Sequence, residues 1–198
     1  MSLQPTPEKI PAADSGAAPA IFKRRRMGLS AIGAALVLVT AGVGYHLLDA
    51  PKLAPDVSFT SLTGQRIDLK SLRGKVVMVN FWATSCSTCV HEMPQMVDTY
   101  NRYKDRGLDF IAVAMSYDPP NYVLNFTETR KLPFTVSLDP QDKLAKSFGD
   151  VKLTPTTFLI DKDGSIIKRY VGEPDFAALH QLLDKSLSKS LSKSLSAG

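Results

Sequence analysis

Cysteine and histidine are scarce in this chain of 198 residues, with two of the first and three of the second. A secreted scaffold stapled by disulfides uses more cysteines at longer spacing. A structural zinc site needs four ligands, and no second ligand pair with suitable spacing accompanies Cys86 and Cys89. Two cysteines three apart therefore exclude a staple and point away from zinc. A basic patch on the folded region is also missing. The formal charge is +5, but the stretch 51–175 holds sixteen basic and fifteen acidic side chains, so the excess sits at the two ends. Nucleic-acid binding, which needs basic residues clustered on a domain, is not expected.

Charge is absent altogether from residues 28–48, GLSAIGAALVLVTAGVGYHLL, which directly follow Lys23-Arg24-Arg25-Arg26 and Met27. As a helix this run spans roughly 31 Å, close to the hydrocarbon thickness of a bilayer. The basic cluster on its N-terminal side places residues 1–27 in the cytoplasm and the rest of the chain outside. A cleaved signal peptide is the alternative, but residues 1–27 are long for its n-region and the apolar run exceeds the usual 7–15 residues or so. No cysteine follows the run, which excludes a lipoprotein anchor. The expected organisation is a disordered cytoplasmic tail (1–27), a single-pass anchor helix in the inner membrane (28–48), a linker (49–56), an α/β domain in the periplasm (57–184) and a low-complexity tail (185–198). The tail's Ser/Lys/Leu repeat suits either a continued helix or a frayed end.

Within the domain, strand and helix signals alternate. VSFTSL and QRIDL, joined by Thr63-Gly64, read as a hairpin. KVVMVNFWA (75–83) and LDFIAVAM (108–115) are near-continuous apolar runs, as buried central strands should be. Helical sequence covers about 87–106, where Pro94 is expected to kink the helix or end its first part. A helix follows over 120–131, a short strand over 134–139 and a short helix over 141–148. TTFLID and SIIKRYV form a hairpin across Lys162-Asp163-Gly164. A last helix begins near Pro174 with Phe176, Leu179, Leu182 and Leu183 on one face. The fold class is α/β with a central mixed sheet flanked by helices.

The chemistry concentrates at Cys86-Ser87-Thr88-Cys89, between a buried strand and a helix start. A cysteine at a helix N-terminus meets unpaired backbone N–H groups and the positive end of the macrodipole, which favour the thiolate. Cys89, one turn on, is placed to resolve a mixed disulfide formed at Cys86. Soft ligands also crowd this stretch: with His91, Met93 and Met96 the cysteines would suit Cu(I), although methionines at helical spacing are more often core residues. A thiol peroxidase is the weakest alternative, because Thr84 precedes Cys86 without a nearby upstream proline. Farther on, Pro155 in Thr154-Pro155-Thr156-Thr157-Phe158 is a candidate cis proline before a strand, against the alternative of an ordinary turn.

Taken together, the CxxC after Phe81-Trp82-Ala83-Thr84, the Thr-Pro-Thr-Thr-Phe segment and the Asp-Lys-Asp-Gly hairpin resemble the TlpA/ResA-like family of the thioredoxin superfamily, over roughly residues 53–184. The resemblance implies a thioredoxin-like fold, a redox-active Cys86–Cys89 disulfide, protein disulfide substrates and electrons from a membrane thiol carrier. Such proteins act on apocytochrome c or on copper-site cysteines. It implies no cofactor and no metal. It makes Pro155 the cis proline beside the active site, preceded by Thr154, and Glu92 the acid of a CxxCxxExP pattern. A partly buried acid there exchanges protons with a thiol; a solvated helix glutamate is the alternative. Two positions depart from the pattern. Ser85 replaces the usual Trp and removes an apolar platform beside the reactive sulfur. Thr88 replaces a frequent Pro, and with Ser87 it adds hydroxyls near the thiolate.

Overall fold

The computed structural model describes residues 52–195, and the side chains of residues 52–188. The anchor expected at 28–48 and the cytoplasmic tail before it lie outside the described residues. Among the described residues no helix is long and apolar enough to cross a membrane.

The chain order is β1 (Ser58–Thr60), β2 (Arg66–Asp68), β3 (Val76–Trp82), α1 (Ser87–Tyr103), β4 (Leu108–Ala114), α2 (Pro120–Arg130), β5 (Thr135–Leu138), α3 (Lys143–Ser147), β6 (Thr156–Ile160), β7 (Ile166–Val171) and α4 (Phe176–Leu195). Five strands form one mixed sheet in the order β5-β4-β3-β6-β7. β3, β4 and β5 run parallel, and β6 and β7 return antiparallel. β1 and β2 pair separately, with Phe59 opposite Ile67.

β3 is buried at every residue because the sheet is covered on both faces. Side chains alternate along it. Val76, Met78 and Trp82 pack with Met93 and Met96 of α1, Val123 of α2 and Leu179 and Leu183 of α4. Val77, Val79 and Phe81 face the other way, onto Phe59, Leu69, Leu144 and Phe148. At the β6–β7 turn, Gly164 has φ +84°, and the Arg73 guanidinium occupies the place a Cβ would take. The positive φ favours glycine there, while the exposed Arg73 side chain could swing aside.

Three boundaries differ from expectation. α1 runs as one element through Pro94; the proline is solvent-exposed, and it removes the backbone bond to Val90 O and crowds that carbonyl without ending the helix. The linker expected over 49–56 is already tied down by Lys52, whose carbonyl accepts from Ile166 N at 2.7 Å, and by Ala54, whose N–H donates to Gly164 O at 2.9 Å. The low-complexity stretch expected from 185 begins inside α4, where Ser186 and Leu187 are buried. Lys162 Nζ donates to the Leu187 carbonyl at 2.9 Å, fastening that turn to the β6–β7 turn.

Candidate active site

β3 delivers the chain to the carboxyl end of the parallel strands, where it turns sharply. Cys86 N–H donates to Ala83 O at 3.2 Å, and Cys86 becomes the N-cap of α1 with extended backbone (φ −89°, ψ 108°). Its sulfur fills the role a serine oxygen usually plays, accepting from Cys89 N–H at 3.2 Å. Cys86 is half-buried and Cys89 fully buried, and the two are joined by a disulfide with Cα atoms 5.2 Å apart. The sequence thus places one sulfur at the surface and its partner beneath it, both at the electropositive end of a 17-residue helix.

The second wall comes from β6. Its register sets Thr156 opposite Phe81 and Thr157 opposite Asn80, so the segment before it lies at the same sheet end as Cys86. The Thr154–Pro155 peptide is cis. Pro155 O accepts from Gly172 N–H at 2.8 Å, and Thr156 Oγ1 donates to Leu153 O at 2.7 Å.

Glu92 is buried one turn beyond Cys89. Desolvation pushes its pKa up to about 8; a hydrogen bond from Asn80 opposes the rise and the Glu173 charge adds to it. Asn80 Nδ2 donates to Glu92 Oε1 at 3.2 Å and to Thr157 Oγ1 at 2.9 Å. Asn80 Oδ1 and Glu92 Oε2 are buried with no hydrogen-bond partner among the described residues. The carboxyl is therefore largely neutral at neutral pH, one helical turn along α1 from the buried cysteine. This is the buried acid of the two readings that Glu92 carried from sequence, not the solvated one.

His91 is exposed, with Nδ1 3.2 Å from Glu173 Oε2. Met93 and Met96 are buried in the core. His91 thus lies on the exposed side of α1, apart from the core cluster that Cys89, Met93 and Met96 share. Among the described residues no cluster of three or more His, Cys, Asp or Glu side chains is placed to hold a metal ion.

Three residues at the site escaped the sequence reading. Asp118 is only 3% exposed, and its two oxygens accept from Thr84 N–H at 2.6 Å and Thr84 Oγ1 at 2.5 Å. Tyr117 is exposed, with its hydroxyl 3.1 Å from Thr154 Oγ1. Asn80 had a visible signal, as the amide side chain inside the apolar run VVMVNFW. Asp118 and Tyr117 had none, because their partners lie 34 and 37 positions away.

The chain is similar to known proteins in sequence and fold. The Redoxin family matches residues 50–183. The thiol-disulfide oxidoreductase ResA of Bacillus cereus is 36% identical over 160 residues, covering 76% of this chain and 91% of the relative. ResA of Bacillus subtilis is 31% identical over 173 residues, covering 82% and 95%. A crystal structure of a thiol:disulfide interchange protein of the thioredoxin family from Chlorobium tepidum is 29% identical with a TM-score of 0.64, covering 69% of this chain and 97% of that one. With its thioredoxin-like mixed sheet and its cysteine pair at the head of α1, the chain belongs to the redoxin family and is a thiol–disulfide oxidoreductase.

Proposed function

We propose that the protein is a membrane-anchored periplasmic disulfide reductase. The observation that carries the reading is the division of labour in the cysteine pair: Cys86 reachable at the N-cap of α1, Cys89 buried beneath it, and cis-Pro155 at the same sheet end. In the reduced enzyme the Cys86 thiolate attacks one sulfur of a substrate disulfide. The substrate S–S bond breaks, and the released sulfur leaves as a thiolate that takes a proton. Cys89 then loses its proton and attacks Cys86 Sγ, expelling the second substrate thiol. Two electrons pass to the substrate and the enzyme keeps the Cys86–Cys89 bond.

Glu92 lies on the same buried side of α1 as Cys89 and, with its pKa pushed up to about 8, exchanges a proton with it: its carboxylate form takes the Cys89 proton as the disulfide closes, and the resulting carboxyl returns it when the pair is reduced again. Thr154 and Pro155 form the ledge against which an extended substrate segment lies. Electrons return from a membrane thiol carrier, which the anchor keeps within reach. The cysteines of apocytochrome c or of a copper centre are the proposed substrates, by analogy with ResA-like proteins.

Reduction of a peptide disulfide by the full-length protein tests the reading. Cys86→Ser is expected to abolish turnover, and Cys89→Ser to accumulate a mixed disulfide at Cys86. Unchanged turnover in Cys86→Ser would refute it. The reduction potential of the pair sets the direction of flux: a value near the −270 mV of thioredoxin supports a reductase, and one near −120 mV an oxidase. Stoichiometric Cu(I) binding without exchange would favour the copper-binding role instead.

A further inference from the structure

The surface around Cys86 is unevenly furnished. Ser85, its neighbour on one side, is exposed and offers no apolar surface. Around Pro155 the opposite holds. Leu153, two residues before the proline, is 64% exposed, Tyr117 56% and Val171 54%. Val171 stands opposite Thr156 in the β6–β7 register, and Tyr117 meets Thr154 through its hydroxyl. Half of the large hydrophobic side chains that are exposed among the described residues thus gather at this one ledge. Clustered exposed apolar groups mark interaction sites, whereas scattered ones need no explanation.

Tyr117 is also held in an unusual way. The loop 115–119 between β4 and α2 grips both walls of the site with adjacent residues. Asp118 spends both carboxylate oxygens on Thr84, two residues before Cys86. Tyr117 reaches the other way, to the residue before the cis proline. Met115 N–H adds a bond to Trp82 O at 3.0 Å, and Asp118 N–H closes the loop on Met115 O at 3.0 Å. The phenol ring is therefore exposed yet anchored at its tip and beside its base. An aromatic side chain ordered before binding loses little entropy when a partner covers it.

We propose that Tyr117 is a specificity-determining residue of the exchange: a fixed aromatic platform that selects polypeptide substrates with an apolar side chain next to the cysteine that Cys86 attacks. The proposal rests on the reading of Cys86 as the attacking thiol. Small disulfides that lack such a side chain do not touch the platform.

The test uses the full-length reduced protein and three substrates. Two are peptides that differ only in Leu or Ser beside the disulfide-bonded cysteine, and the third is oxidised glutathione. The wild type is expected to favour the Leu peptide by about tenfold in kcat/KM, the scale of one aromatic contact with its buried area. Tyr117→Ala is expected to erase this preference through KM, lowering kcat/KM for the Leu peptide about tenfold more than for the Ser peptide or for oxidised glutathione. Tyr117→Phe keeps the ring without the hydroxyl and should retain most of the preference. A wild type that treats the two peptides alike overturns the proposal. So does a Tyr117→Ala variant that keeps the preference, or one that loses all three substrates equally, which would make Tyr117 a brace for Thr154 only. If Cys86→Ser turns over all three substrates as the wild type does, the underlying reading has failed and takes the platform with it.

Discussion

Asn80 is the one polar side chain in a strand whose seven residues are all buried. An amide in that position costs about 1–3 kcal/mol for each group left unpaired, and its persistence needs a partner that returns the cost. Its Nδ2 has two such partners, Glu92 and Thr157, and through them it joins β3 to α1 and β6 directly below the cysteines. The carboxyl it holds is shifted up to about 8 from 4.5, chiefly by desolvation. The sign of the stability effect follows. Between those two values the native state keeps a proton that the unfolded chain has released, so stability falls as pH rises through that window and levels off above it. Urea denaturation near pH 5 and near pH 8 should therefore show wild type losing stability relative to Glu92→Gln, by roughly 3 kcal/mol, because the amide has no proton to lose. A parallel pH dependence in the two proteins would mean that Glu92 is ionised and solvated in the native state.

At the scale of elements, β3 and β4 were legible because both faces of the sheet are covered, which leaves a continuous apolar run in the sequence. The turn into α1 was legible because a helix start beside CxxC is a local pattern. The loop 115–119 was not legible, since Ser-Tyr-Asp-Pro-Pro reads as an ordinary connection until Thr84 and Thr154 are brought to it by the sheet. The end of helix α4 was legible only as two alternatives, a continued helix or a frayed end, and the structure takes the first. Its Ser/Lys composition suits a solvated tail, and only the facing of single residues shows otherwise. Leu179, Leu183 and Leu187 recur every four residues, and all three are buried. A four-residue step overshoots the helical turn by only about 40°, so a short series of such leucines keeps to one face. Leu187 is 5% exposed and packs in the same cluster as Tyr103 and Leu108. Leu187→Ala should cost about 2–4 kcal/mol in chemical denaturation, as for other buried leucines. A loss under about 0.5 kcal/mol would show that the helix frays before this turn.

On the proposed reading, the whole molecule separates its tasks along the chain. Residues 51–198 form a unit with contacts of their own, and both faces of their sheet are closed by residues between Ala54 and Leu187. The redox pair, the buried acid and the cis-proline ledge all lie inside that unit. The proposed chemistry uses residues of that unit, and the proposed anchor assigns the basic cluster and uncharged run of residues 1–50 to location. The two functions should come apart cleanly. A fragment of residues 51–198 is expected to fold, to stay in the soluble fraction and to reduce oxidised glutathione within about twofold of the full-length rate, since a small disulfide meets only the active site. The full-length chain should instead sediment with membranes and resist extraction by salt, because a spanning apolar helix is not released by screening charge. In the proposed orientation, a membrane-impermeant thiol reagent added to the periplasmic side labels Cys86 in reduced full-length protein, and labelling only after the membrane is permeabilised would invert the topology. An unfolded 51–198 fragment would show that the N-terminal segment supports the domain as well as placing it.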